Sequence, residues 1–214
     1  MALGEMFART KTASSLQQIV VKCGSQDQIN AFGRLVRACG SGLRRIAISV
    51  DEYEFSSGDF ERDWLQLGLG SLSSLTTLSL HATIEVLAIH DLFYFKLFLD
   101  ILAASPLPTL QHLTMLTHIY CPDEHWDTFL EYVVSPEQGM DWAKLRALLK
   151  RCEALQRVDF TMRKMYDFHD QHLDEVREIV LRELGEWEES GILKVQIDRD
   201  ENLAVAMPTT PLHE

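Results

Sequence analysis

The sequence predicts an α/β protein, an irregular solenoid of about six parallel strands with helices between them. Two observations carry this. An apolar pattern of the form Leu-x-x-Leu-x-Leu, with Ile, Val, Met or Phe substituting, occurs six times along the chain. The segments between the copies have helical periodicity. A strand-plus-helix unit of this size cannot bury its own apolar face, so neighbouring units must stack. Parallel strands joined by helical crossovers satisfy both patterns at once.

The six copies are Leu16/Ile19/Val21, Leu43/Ile46/Ile48, Leu75/Leu78/Leu80, Leu110/Leu113/Met115, Leu155/Val158/Phe160 and Ile192/Val195/Ile197. The first strand is expected within Ser15 to Cys23. A helix then starts at Asp27 and runs through Ile29, Phe32, Leu35, Val36 and Cys39, until Gly40 and Gly42 end it. The second strand, Leu43 to Val50, alternates clearly, with Ile46, Ile48 and Val50 on one side and Arg45, Ala47 and Ser49 on the other. Asp51 to Gly70 is acidic and irregular, with Phe60, Trp64, Leu65 and Leu67 as inward anchors of a short helix that Gly68 and Gly70 break. The third strand spans about Thr76 to His81. A helix from Leu92 to Ala104 carries Phe93, Phe95, Leu97, Phe98, Ile101 and Leu102, and Tyr94 must face away from that stripe. Pro106 and Pro108 close it.

The fourth strand lies near His112 to Leu116. Asp123 is the expected cap of a helix bearing Trp126, Phe129, Leu130 and Val133, and Asp141 of a further helix through Trp142, Leu145, Leu148 and Leu149. The fifth strand is Gln156 to Thr161. The longest helix, about His169 to Glu189, has an apolar stripe of Leu173, Val176, Ile179, Val180, Leu184 and Trp187, and the sixth strand is Leu193 to Ile197. The chain therefore divides into a flexible N-terminal segment (1–14), one α/β domain (15–202) and a flexible C-terminal tail (203–214).

Composition narrows the function classes. The 214 residues are 46% hydrophobic, enough for one ordered core, and the formal net charge is -12. That charge argues against a broad nucleic-acid footprint and against docking on anionic membranes. The basic cluster Lys144, Arg146, Lys150, Arg151 and Arg157 is read as a solvated helix face. Cys23, Cys39, Cys121 and Cys152 are too widely spaced for a zinc or disulfide framework, so free thiols and an intracellular, cytoplasmic or nuclear setting are expected. No window approaches a membrane span, and the first residues lack the apolar run of a signal peptide.

Three central segments carry a family resemblance: Leu72-Ser-Ser-Leu75-Thr-Thr-Leu78-Ser-Leu80, Leu107-Pro-Thr-Leu110-Gln-His-Leu113-Thr-Met115 and Cys152-Glu-Ala-Leu155-Gln-Arg-Val158-Asp-Phe160. Each also has an apolar or thiol side chain three residues before the anchor leucine. They resemble leucine-rich repeats. The uneven intervals of 27, 32, 35, 45 and 37 residues between anchors are similar to those of the repeat regions attached to F-box domains in mushroom-forming fungi. The resemblance, which covers about 15–200, implies a protein-binding solenoid. One family feature is missing. The asparagine expected three residues after the last strand leucine is replaced by Gly24, Asp51, Thr83, His118, Arg163 and Asp200, so no asparagine ladder is expected. No F-box-like helical domain is visible, and adaptor function is not carried over.

The preferred function is non-enzymatic recognition of a protein or peptide through the outward side chains of the strands. Those expected to bind are Arg45, Ser49, Thr77, Ser79, His81, His112, Thr114, Arg157, Asp159 and Thr161, with Ala47, Leu116, Lys194, Gln196 and Asp198 on the same face. The runner-up is a small α/β enzyme with its site in the loops at the carboxyl ends of the strands, where Asp51, His81 and His118 would form an acid–base or metal set. A third reading is a self-associating structural protein, with a homodimer covering the open ends of the sheet. No motif implies a cofactor or a resident metal. Cys121 with His125 and His169 with His172 lack the partners that metal or nucleophile chemistry needs, and Gly68-x-Gly70 lacks a third glycine.

Overall fold

The computed structural model describes residues 15–50, 64–85, 93–105, 107–121, 125–135, 139–164 and 170–199. Within them six strands form one parallel sheet in the order β1-β2-β3-β4-β5-β6. The strands are β1 (Gln18–Lys22), β2 (Arg45–Val50), β3 (Thr77–Glu85), β4 (His112–Tyr120), β5 (Arg157–Lys164) and β6 (Leu193–Arg199). Five α-helices lie between them: α1 (Gln26–Cys39), α2 (Phe93–Ala103), α3 (Trp126–Val134), α4 (Trp142–Lys150) and α5 (Asp170–Glu189). Both α3 and α4 fall between β4 and β5, which accounts for the long fourth interval of the sequence pattern.

Parity sorts the sheet into two faces. Ile46, Leu78, Leu113, Val158 and Leu193 lie side by side in register and are buried, as is the next row of Ile48, Leu80, Met115 and Phe160. Each such side chain contributes about 1.5–3 kcal/mol by leaving water. The helices supply the opposing layer through Phe32, Val36, Phe95, Phe98, Phe129, Leu145, Val176 and Val180, which join the same core.

Adjacent helices are tied to one another. Asp100 of α2 meets Lys144 of α4 at 3.0 Å, and Arg146 of α4 meets Glu183 of α5 at 2.8 Å. Lys150 pairs with Glu186 and lies 5.6 Å from the centroid of the Trp187 ring. The buried Trp142 Nε1–H donates to the Val133 carbonyl at 2.8 Å, joining α4 to α3. Three members of the basic cluster are thus matched to helix acids, and Arg157 is held by Asp159. The long helix departs from helical geometry at Leu184, and the Arg146 guanidinium takes up the carbonyl of Glu183 at that break.

A repeated junction precedes the strands. The Gln17 carbonyl accepts from the amides of Arg44 and Arg45, that of Arg44 from Thr76 and Thr77, that of Thr76 from Gln111 and His112, and that of Gln111 from Gln156 and Arg157. Gln17, Arg44, Thr76 and Gln111 each follow the anchor leucine of their copy. In the three central copies the anchor amide also donates three residues back, Leu75 to Leu72, Leu110 to Leu107 and Leu155 to Cys152. The same sequence pattern therefore makes the same local turn.

Several expectations are corrected. α1 is capped by Ser25 rather than begun at Asp27: Ser25 accepts from the Gln28 amide and the Gln28 side chain from the Ser25 amide. Asp141 caps α4 as expected, through the Lys144 amide at 2.8 Å. Asp123 lies outside the described residues, and α3 starts after His125, which makes no side-chain cap. Leu65 is not an inward anchor. The segment forms 3-10 turns, Trp64–Leu67 and Leu69–Ser71, that bury Leu67 and Leu69 and leave Leu65 67% exposed. Phe95 and Phe98 are buried, while the side chains of Phe93 and Tyr94 fall outside the description.

The sixth copy is out of phase. Val158 pairs with Leu193, not with Val195. α5 ends in a Schellman turn at Gly191 (φ 72°), where the Gly191 amide bonds the Glu188 carbonyl and the Ile192 amide the Trp187 carbonyl. The chain enters β6 directly from that turn, so the position equivalent to an anchor leucine is Ser190. The slip is two residues, an even number, so Lys194 and Gln196 stay on the face where alternation put them.

Candidate interaction face

The second face of the sheet is built from residues of opposite parity to the core. In register it has a row of Gln18, Arg45, Thr77, His112 and Arg157, a row of Val20, Ala47, Ser79, Thr114, Asp159 and Lys194, and a row of Lys22, Ser49, His81, Leu116, Thr161 and Gln196. All ten residues expected to bind lie on it. None is buried, and none of the described helices packs there. The edge strand β1, for which no outward residues were assigned from the sequence, adds Gln18, Val20 and Lys22. The alternation around Ile19 and Val21 carried that signal. Val20 is the most exposed large apolar side chain among the described residues, at 71%.

The strands run further than the apolar pattern suggested. Thr83, His118 and Arg163, the positions where an asparagine would turn the chain, are instead in register with one another inside β3, β4 and β5. Thr83, Ile84, Ile119 and Tyr120 favour extended backbone, and without an asparagine to hold a turn the ladder continues. The face thereby gains a fourth row.

Its electrostatics are local. Arg157 clasps Asp159 with two hydrogen bonds of 2.8 and 2.9 Å along one strand, and Lys194 stands opposite Asp159. His81 lies opposite Leu116, and its protonation is suppressed by burial first and by the Arg163 charge second. The imidazole pKa therefore falls below the ordinary 6.5. The unfolded chain binds that proton more readily, so stability is held above 6.5 and is lost as pH falls from there towards the depressed value. An NMR titration should place His81 below 6.5 in the wild type. It should remain below in Arg163→Gln, rising only slightly, because burial is the larger cause. A value at or above 6.5 in either protein would contradict this environment.

Two members of the runner-up acid–base set, His81 and His118, lie within the described residues. His118 lies opposite Thr83, one residue pair beyond His81 on the neighbouring strand, so the two imidazoles share a face. Asp51 lies outside the described residues, as do the side chains of His169 and His172. Among the described residues no group of three or more His, Cys, Asp or Glu is placed to hold a metal ion. Among the described strands the order contains no reversal, the place where open α/β sheets commonly form a ligand crevice.

Among the described residues a small cleft of about 120 Å³ opens at the other end of the strands, lined by Leu102, Ser105, Leu107, Leu148, Leu149 and Cys152 among others. Substrate and cofactor pockets usually exceed about 300 Å³. The Cys152 thiol donates to the Leu148 carbonyl, and burial raises its pKa, which keeps it from acting as a thiolate. All four cysteines are free thiols. No helix of the described residues is long and apolar enough to cross a membrane.

Comparison with known protein families, with curated proteins and with solved structures finds no match to this chain.

Proposed function

We propose that this chain is a non-enzymatic recognition module, a leucine-rich-repeat-like solenoid that binds a protein or peptide through the sheet face on which no described helix packs. The observation that carries the reading is that, among the described residues, the parallel sheet is covered on one side only. Sheets of this kind almost always have both faces packed. Stacked repeats are the exception, because their helices collect on one side and leave a continuous strand surface for a partner. The recurring junctions at Gln17, Arg44, Thr76 and Gln111 support the solenoid reading, since they tie each of the first five units to the next by the same two bonds. The resemblance to fungal repeat regions is consistent with this and rests on the chain's own pattern.

Site-specific photo-cross-linking tests the reading in cells. A cross-linking side chain at Ser79 or Thr114 is expected to yield a discrete protein adduct, and one at Glu178, exposed on α5, to yield none. Equal labelling from both positions, or labelling from α5 alone, would sink the proposal.

A further inference from the structure

The junction pattern leaves two donors over at the first unit. Four times a carbonyl just after an anchor leucine accepts two consecutive amides from the unit that follows. In the first copy the amides in that place are those of Gln17 and Gln18, and among the described residues no carbonyl receives them. β1 is the edge of the sheet. The Gln17 carbonyl and the Cys23 amide both bond towards β2. Bonding direction alternates along a strand, so Gln18 and Val20 turn amide and carbonyl outward.

The side chains show the same deficit. Ile19 and Val21 are half-buried, whereas Ile46 and Ile48, their partners in register, are 1% and 0% exposed. Gly33 of α1 packs on the 3-10 turn of the next unit. Leu35 is two residues on, close to half a turn round the helix, so it lies on the flank away from that turn, half-buried. Leu16, Ile19, Val21 and Leu35 pack against the margin of the core and form an apolar ledge at this end. The opposite edge is different. β6 has three charged residues among its seven, Lys194, Asp198 and Arg199, a common guard against strand addition. β1 has one among five, Lys22, and neither proline nor glycine.

We propose that the β1 edge is a binding site at which an extended segment of a partner protein adds as a parallel strand. Its backbone takes up the outward groups of Gln18 and Val20, and one of its carbonyls receives the Gln17 and Gln18 amides. Two of its side chains, two residues apart, are large and apolar and lie level with Ile19 and Val21, beside Leu35. Main-chain bonds supply affinity in this mode, and the alternate side chains supply selectivity. The inference rests on the junctions and is independent of the sheet-face reading. The junctions also set the direction, because every unit that offers a carbonyl to two such amides runs parallel to the strand that receives it. A second copy fits less well. Pairing β1 with itself about a two-fold axis is antiparallel and brings no carbonyl to the junction. Stacking β6 of one copy on β1 of another meets the charges of β6, and two chains at -12 repel.

The test is selection of random peptides on the folded full chain, followed by binding to Val20→Pro, Val20→Thr and Thr114→Arg. The ladder with β2 does not use the Val20 amide, so proline is tolerated there as at other edge positions. It removes an outward donor, and its ring obstructs an incoming strand. Selected peptides should carry large apolar residues two apart. They should lose at least about tenfold in affinity on Val20→Pro and stay within about twofold on Val20→Thr and Thr114→Arg. An N-methyl scan of one selected peptide against the wild-type chain should weaken binding at alternate residues only, because a strand bonds one neighbour with every second amide. That scan decides the matter even if Val20→Pro does not fold. Failure to select any peptide, equal binding to folded Val20→Pro, or an N-methyl scan without alternation would overturn the proposal. Peptides indifferent to Val20→Pro but lost on Thr114→Arg would overturn the edge site and leave the sheet-face reading standing. Concentration-dependent oligomers that Val20→Pro abolishes would overturn the partner segment in favour of a second copy.

Discussion

Gly33→Ala is expected to destabilise the protein by about 3 kcal/mol, near the upper end of ordinary overpacking costs. The change would normally help, because alanine is worth about 1 kcal/mol over glycine inside a helix. Here a Cβ at position 33 would sit 1.7 Å from the carbonyl oxygen of Gln66. That oxygen is main chain and belongs to the 3-10 turn Trp64–Leu67, so it cannot rotate away as a side chain would. Either α1 lifts off the turn or the turn moves and uncovers Leu67. For a domain of this size the loss corresponds to a fall of roughly 10 °C in Tm. Urea denaturation of the two proteins measures it, and a loss below about 1 kcal/mol would mean that α1 does not pack this closely.

Phe160→Ala should cost about 3–5 kcal/mol. Phe160 is 1% exposed, continues the buried row of Leu80 and Met115, and has the Trp142 ring 6.0 Å away between centroids. Truncation removes the transfer energy of the ring and leaves a cavity beneath α4. Helix and strand are both fixed by their neighbours, so little of that cavity can close. The adjoining Asp159 provides the contrast. One step along a strand moves a side chain to the other face, so Asp159→Ala should leave the unfolding midpoint nearly unchanged and alter partner binding instead. Equal loss of stability from the two substitutions would contradict the assignment of the faces.

How much of this was legible in the sequence follows from which forces were local. Ile46, Ile48 and Val50 against Arg45, Ala47 and Ser49 declared a strand and its faces without reference to anything distant, and the helices could be read from stripes such as Val176, Val180, Leu184 and Trp187. What could not be read depended on a partner. The strands β3 to β5 outrun the apolar pattern because Thr83, His118 and Arg163 find ladder partners in one another, which no single segment reveals. The phase of β6 is decided by the Schellman turn at Gly191 and the strand it feeds, while the letters Ile192, Val195 and Ile197 fit the repeat equally well two residues away. Leu65 looked like an anchor because composition alone cannot distinguish a 3-10 turn from a short helix, and the two point different side chains inward. The outward residues were legible as a face through alternation. That Arg157 is spoken for by Asp159, and that Arg163 acts on His81, required the register.

The order of the strands also has a kinetic meaning. Every strand pairs with the strands immediately before and after it in the chain, and no pairing waits for a distant segment. A chain of this topology assembles in the direction in which it is synthesised: β2 finds β1 already made, β3 finds β2, and each new crossover closes a loop of a few tens of residues at a modest entropic cost. In the opposite direction, the sheet opens from its ends. β1 has one partner and no buried side chain of its own, so its amides should exchange with solvent before those of β3 and β4, which are paired on both sides.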